Sequence, residues 1–257
     1  MKPIDAAIHI ARKAGDYQIS RLHTDFKVEH KGVINLVTEV DKYCEKLIVD
    51  YLREQFPDYD VLAEEGSNTN SNAEYKWIID PLDGTTNFAH GYPLFCVCIA
   101  LEYRGEIVMG VIYEPNRGEM FTAEKGKGAF CNGKPIKVSP SKSLQNALLV
   151  TGFAYNIQEG ERMNNLNHFC NFMLKSHAVR RDGVAGVDLC YVACGRYEGF
   201  WELYLKPWDI AAGSLILKEA GGTVTSFDGS KFDVYGTEIL ATNTHIHDEM
   251  KDVLVNG

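Results

Sequence analysis

Residues 95–113 carry two strand-length apolar runs, FCVCIALEY and EIVMGVIY, joined at Arg104-Gly105. This pair constrains the fold more than any other stretch, because two such runs separated by a glycine-containing turn form a hairpin. A further run near Met120 follows the turn at Asn116-Arg117-Gly118, and the short run WIID lies upstream at 77–80. Together they predict an antiparallel meander. Two helical patterns precede it. Over 4–29, Ile4, Ala7, Ile8, Ala11, Ile19 and Leu22 recur at helical spacing. Over 41–56 the apolar stripe is Cys44, Leu47, Ile48, Tyr51 and Leu52, with Pro57 as the stop and Thr38 and Asp41 spaced for a capping box. Helices followed by consecutive strands indicate an α+β layered half rather than alternating βαβ units.

The stretch 132–143 is rich in Gly, Pro, Ser and Lys and marks a soft boundary. The expected organisation is therefore an N-terminal α+β half at 1–140 and a C-terminal α/β half at 141–257, forming one catalytic unit. In the second half strands are expected at 147–151, 199–203 and 239–242. Helices are expected at 161–175, 187–194, 209–220 and 246–255, the third closed by Gly221-Gly222.

The chain has 257 residues and a net charge of −9. That balance argues against nucleic-acid and anionic-membrane partners, which need basic surface. There is no signal-peptide order at the start and no apolar run long enough to span a bilayer, so the expected compartment is the cytoplasm. Seven cysteines, with no CxxC pair, read as buried free thiols. Cys96 and Cys98 would share one face of a strand, and without close partners at ligand spacing a zinc site is not expected.

The chemistry concentrates in Asp80-Pro81-Leu82-Asp83-Gly84-Thr85-Thr86-Asn87. Asp80 ends a strand, and Pro81 and Gly84 favour a tight turn that brings Asp83 back beside it. Two carboxylates at 4 Å repel by roughly 4 kcal/mol at an effective dielectric of about 20. A structure tolerates this if one is protonated or a cation lies between them. Oxygen donors without His or Cys suit a hard ion such as Mg²⁺. The amides of Gly84, Thr85 and Thr86 at a helix start offer an anion site. The competing reading is a solvated turn with an Asx cap.

WIIDPLDGTTNF resembles the first signature of the inositol monophosphatase family, and PWDIAAGSLILKEAGG at 207–222 resembles its second. LVTEVDKYCEKLI at 36–48, LAEEGS at 62–67, GKGAFCNG at 126–133 and DLCYVACGRYEGFWE at 188–202 are similar to further family segments, all in order. The resemblance implies a layered α/β/α/β/α sandwich of the inositol monophosphatase and fructose-1,6-bisphosphatase type. It implies two or three Mg²⁺ ions held by Glu64, Asp80, the Leu82 carbonyl, Asp83 and Asp209. Thr85, supported by Asp41, would orient the attacking water, beside Glu64 and its weaker third metal. Gly84 and Thr85 amides would hold the phosphate, and Gly183, Ala185 and Glu202, with Asp83 and Asp209, would meet the substrate. Several positions keep a second reading. Glu65 could replace Glu64, Asp41 could be a first-turn helix acid, and Asp209 could be a helix N-cap. Trp208 reads as packing and Lys31 as a surface charge with an alternative role near the metals.

The resemblance implies hydrolysis of a phosphate monoester, with myo-inositol monophosphate as the leading substrate, by metal-activated water. Proton transfer alone contributes about 10²–10⁴-fold, far short of what such esters require, so paired metals must carry much of the rest. No GxSxG elbow, Cys–His pair or P-loop is present. Val184 stands where Ser or Thr is common in the family, and Gly186 where Ala is common. Loss of a hydroxyl weakens the case for inositol and leaves the 2′-phosphate of NADP(H) or a 3′-phosphoadenosine nucleotide as alternative substrates; Val184 could equally face the core. A non-catalytic regulatory or scaffold protein is the rival class. Lithium sensitivity and a homodimer are further implications of the family resemblance.

Overall fold

The structure is a computed structural model that describes residues 1–30, 36–154 and 164–257. Lys31 lies outside the described residues, as does the 161–163 start of the helix expected at 161–175.

Helices α1 (Pro3–Arg21) and α2 (Glu39–Gln55) flank a small hairpin, β1 (Val28–His30) with β2 (Leu36–Thr38). A seven-stranded sheet follows: β3 (Asp60–Ala63), β4 (Tyr75–Asp83), β5 (Cys96–Tyr103), β6 (Glu106–Glu114), β7 (Glu119–Glu124), β8 (Ala129–Cys131) and β9 (Lys134–Pro135), with the short helix α3 (Thr85–Ala89) after β4. Its spatial order is the chain order, and every pair is antiparallel except β3 with β4. A five-stranded sheet is built from β10 (Leu148–Thr151), β11 (Ala178–Arg180), β12 (Gly199–Leu203), β13 (Thr223–Thr225) and β14 (Glu238–Thr242), in the order β11-β10-β12-β14-β13. The remaining helices are α4 (Leu166–Lys175), α5 (Ala185–Ala193), α6 (Pro207–Glu219) and α7 (His247–Asn256).

Strand alternation explains the layering. Trp77, Ile79, Val97, Ile99 and Leu101 pack on Ile10, Ala14, Cys44, Ile48 and Leu52 of α1 and α2. Their neighbours Ile78, Cys96, Cys98 and Ala100 face the other way, onto Val187, Leu189, Ala211, Ala212 and Leu215 of α5 and α6. Val150, Phe200 and Ala241 of the second sheet close on the same two helices. Leu149, Trp201 and Leu240 face outward onto Phe172, Met250 and Val253 of α4 and α7. The order is thus α1/α2, sheet, α5/α6, sheet, α4/α7, the five-layered mixed α/β sandwich expected.

Several element boundaries differ from the sequence reading, α2 and α5 each beginning two residues earlier than expected. The helix expected over 4–29 ends at Arg21, because Leu22 leaves helical geometry at ψ 129° and His23 takes φ 67°. Thr24 closes a turn back to Arg21, its N–H and hydroxyl both donating to the Arg21 carbonyl, and residues 28–30 are needed for the hairpin. Helix α4 begins at Leu166 in the described residues, with Asn165 as N-cap. Helix α6 starts at Pro207, two residues before Asp209, because proline is suited to a first-turn position. Among the described residues no helix is long and apolar enough to cross a membrane.

Candidate active site

Alternation along β4 points Asp80 to the same side as Ile78, into the layer between the sheets. There the strand loses register: Asp80 opposes Cys98, Asp83 opposes Cys96, and Pro81 and Leu82 form an irregularity between them. The turn is held from three sides. The Leu82 N–H donates to Asp80 Oδ1 at 2.9 Å. The buried amide of Gln18, on α1, donates to the Pro81 carbonyl at 2.7 Å. Gly84 caps α3 at φ 96°, where a Cβ would lie 2.9 Å from Val184 Cγ2, so both conformation and packing demand glycine.

Asp41 keeps both sequence readings at once. As the third residue of α2 it completes the capping box with Thr38, accepting the Thr38 N–H at 2.8 Å. Its other oxygen accepts from Thr85 Oγ1 at 2.8 Å, and the same hydroxyl lies 3.1 Å from the Leu82 carbonyl. Asp209 is not the N-cap; it is the third residue of α6 and accepts the Lys206 N–H at 2.6 Å.

The acids converge electrostatically. Burial raises the Asp80 carboxyl well above the usual range, reinforced by Glu64, Asp83 and Asp209. Asp83 is pushed up to about 7, chiefly by burial, against the Gly186 N–H that donates to Oδ2 at 2.7 Å. Asp209 also rises to about 7, through burial and the charge of Asp83, and a hydrogen bond with Asp80 partly offsets this. Glu202, on the inward face of β12 beside Gly152, is raised well above the usual range by burial, Asp209 and Asp83. Acids from a β3 loop, a β4 turn and α6 therefore share one charge-crowded space, in which Lys206 partly offsets the raised pKa of Asp209. All the donors, with the Leu82 carbonyl, are oxygens, the donor set a hard divalent cation requires.

In the loop before α5, Gly183 takes φ 75° and Ala185 opens the helix. Val184 is fully buried, so it faces the core as its second reading had it. The loop is tied to the turn at 80–84 through Asn87, whose Nδ2 donates to the Asp182 carbonyl at 2.9 Å and to the Leu94 carbonyl at 3.0 Å.

Sequence reasoning missed three positioning residues, Gln18, Asn87 and Glu45, and the buried acid Asp188. Only the polar character of Gln18 and Glu45 on otherwise apolar helix faces could have flagged them. Glu45 is buried on α2 and accepts the N–H groups of Glu65 at 2.6 Å and Ser67 at 3.0 Å, fixing the loop that carries Glu64. Asp188 is buried in α5 with no hydrogen-bond partner for either oxygen among the described residues, and burial raises its pKa well above the usual range. A hydrogen bond to a charged group contributes about 1.5–3 kcal/mol. Glu45→Ala is therefore expected to raise the Mg²⁺ concentration for half-maximal activity about tenfold, with Glu45→Gln less affected because one acceptor survives. Magnesium titrations of the two variants check this; an unchanged midpoint in Glu45→Ala would remove the positioning role.

Over residues 1–255 the sequence matches the profile of the inositol monophosphatase family. The chain belongs to the inositol monophosphatase family. "Inositol monophosphatase 3" of Solanum lycopersicum is 42% identical over 95% of this chain and 93% of its own length. The extragenic suppressor protein suhB of Bartonella henselae superposes with a TM-score of 0.93 at 38% identity, covering 99% of this chain and 98% of that one. An IMPase/NADP phosphatase solved with Mg²⁺ and phosphate has a TM-score of 0.86 at 30% identity, over 99% of this chain and 95% of that one. The protein is a phosphatase of this family.

Proposed function

We propose that this family member hydrolyses myo-inositol monophosphate in a Mg²⁺-dependent reaction at the carboxylate cluster. The carrying observation is that Glu64, Asp80, Asp83 and Asp209 converge, Glu64, Asp83 and Asp209 raising the pKa of Asp80, Glu64 that of Asp83, and Asp83 that of Asp209. Such repulsion is relieved by multivalent cations. In this reading Glu64, Asp80 and the Leu82 carbonyl would hold one ion, and Asp80, Asp83 and Asp209 a second, with a weaker third beside Glu64. When bound, the ions neutralise the phosphate and make water a nucleophile near neutral pH.

The chain's own groups do the rest. The Thr85 hydroxyl, aligned by Asp41, orients the attacking water. Gly84 and Thr85 amides hold the phosphate oxygens, with Gly84 turned to φ 96°. Glu202, Gly183 and Ala185 line the side where the alcohol portion lies, together with Asp83 and Asp209. Residues 1–140 supply the turn and its supports, and 141–257 supply Asp209 and the substrate loop, so we read the two halves as one catalytic unit.

The test is phosphate release from a panel of phosphorylated metabolites with and without Mg²⁺. Inositol monophosphate is expected to be the best substrate, and millimolar lithium is expected to inhibit. A best rate on NADP(H) or a 3′-phosphoadenosine nucleotide would transfer the reading to that ester. The solved IMPase/NADP phosphatase relative favours the NADP(H) alternative over the others. No release from any ester would leave a regulatory or scaffold role. We propose a homodimer on family resemblance, to be read from light scattering.

A further inference from the structure

Alternation along β5 turns both Cys96 and Cys98 toward α5 and α6, and their Sγ atoms lie 3.6 Å apart. Asp83 Oδ2 is 3.8 Å from Cys96 Sγ, and the three donor atoms all fall within 4.8 Å of one another. Gly186 roofs them, and a Cβ there would lie 2.5 Å from Cys98 Sγ and 3.1 Å from both Cys96 Sγ and Asp83 Oδ2. The absence of a side chain at 186 leaves the donors facing one another. Neither thiol enters the oxygen donor set described above.

We propose that Cys96, Cys98 and Asp83 form an inhibitory site for a thiophilic divalent cation of the zinc and cadmium class. At a Zn–S distance of about 2.3 Å, two sulfurs of a tetrahedral site stand about 3.8 Å apart, within about 0.2 Å of the pair seen here. Two soft sulfurs with a carboxylate select such ions over magnesium, which prefers oxygen. Each thiol gives its proton to solvent on binding, so two protons leave per ion. Asp83 is then withdrawn from the carboxylate cluster. That consequence for turnover rests on the magnesium reading of Asp83; the binding itself does not. The sequence argued against zinc because no close Cys or His partner lay at ligand spacing; the fold supplies a carboxylate instead, thirteen residues upstream of Cys96.

The test is a cadmium titration of chelator-treated full-length protein, followed by ultraviolet thiolate-to-metal charge transfer. One ion with two thiolates is expected per chain. Affinity is expected to fall at least tenfold in both Cys96→Ala and Cys98→Ser, and to be unchanged in Cys170→Ser, which removes an exposed thiol. Circular dichroism confirms folding, and Cys98→Ser, the smaller change, keeps the test valid if Cys96→Ala fails to fold. Zinc inhibition in excess magnesium is expected to weaken at least tenfold in Cys98→Ser. Unchanged cadmium affinity in Cys98→Ser, or loss of the band in Cys170→Ser, overturns the site. The absorbance needs no turnover, so an inactive protein would sink the phosphatase reading and leave this one to be decided by the titration.

Discussion

Asp83→Asn is expected to lower the magnesium-dependent phosphatase rate about 10³-fold while leaving the fold intact. A unit charge opposite a cation at 4 Å is worth roughly 4 kcal/mol at an effective dielectric of about 20. At about 1.4 kcal/mol per decade that is three decades of rate. The fold should survive because Asp83 stays largely neutral up to about pH 7 without metal, and asparagine is neutral and nearly isosteric. Its amide oxygen can still accept the Gly186 N–H now taken by Oδ2. The measurement pairs steady-state phosphate release with thermal melting in chelator. Full activity with an unchanged melt would remove Asp83 from the second-metal position. A melt lowered by many degrees would mean that the charge supports the fold, contrary to its raised pKa.

The metal-free protein is expected to lose stability as pH rises from about 4 to 8, and Mg²⁺ is expected to cancel most of that loss. Asp83 and Asp209 titrate near 7 in the folded chain, whereas an unfolded aspartate titrates near 3.9. Between those values the folded state binds more protons than the unfolded state, so unfolding becomes easier as pH increases. Asp80 and Glu202, raised well above the usual range by burial, add to the same trend. Cations favour the ionised carboxylates and reverse the sign of their cost. A loss of even 2–3 kcal/mol lowers the melting temperature by roughly 5–10 °C in a chain of this size. Melting curves at pH 5 and pH 8, each with chelator and with Mg²⁺, decide it. A metal-free melt that is flat or rises with pH would show that the acids are not crowded as described.

The elements that the sequence predicted best were those set by short-range rules. The β5–β6 hairpin follows from two apolar runs and a glycine turn, and the α2 start follows from Thr38 and Asp41 three residues apart. The turn that brings Asp83 beside Asp80 is likewise local, written in Pro81 and Gly84. The end of α1 was misread because apolar periodicity continued past the point where the β1–β2 pairing needed the chain.

Tertiary structure alone decided which distant groups meet. Asp209 reaches Asp80 only because α6 is sandwiched between two sheets whose inward faces fix its position. Glu45 and Gln18, polar residues on apolar helix faces, become supports of the site because α1 and α2 lie under the turn. Local chemistry acts over three or four residues and can be read from spacing. Convergence depends on sheet register and on side-chain alternation summed across layers, which no single segment encodes, and that is why Asp83 met two thiols the sequence had set aside.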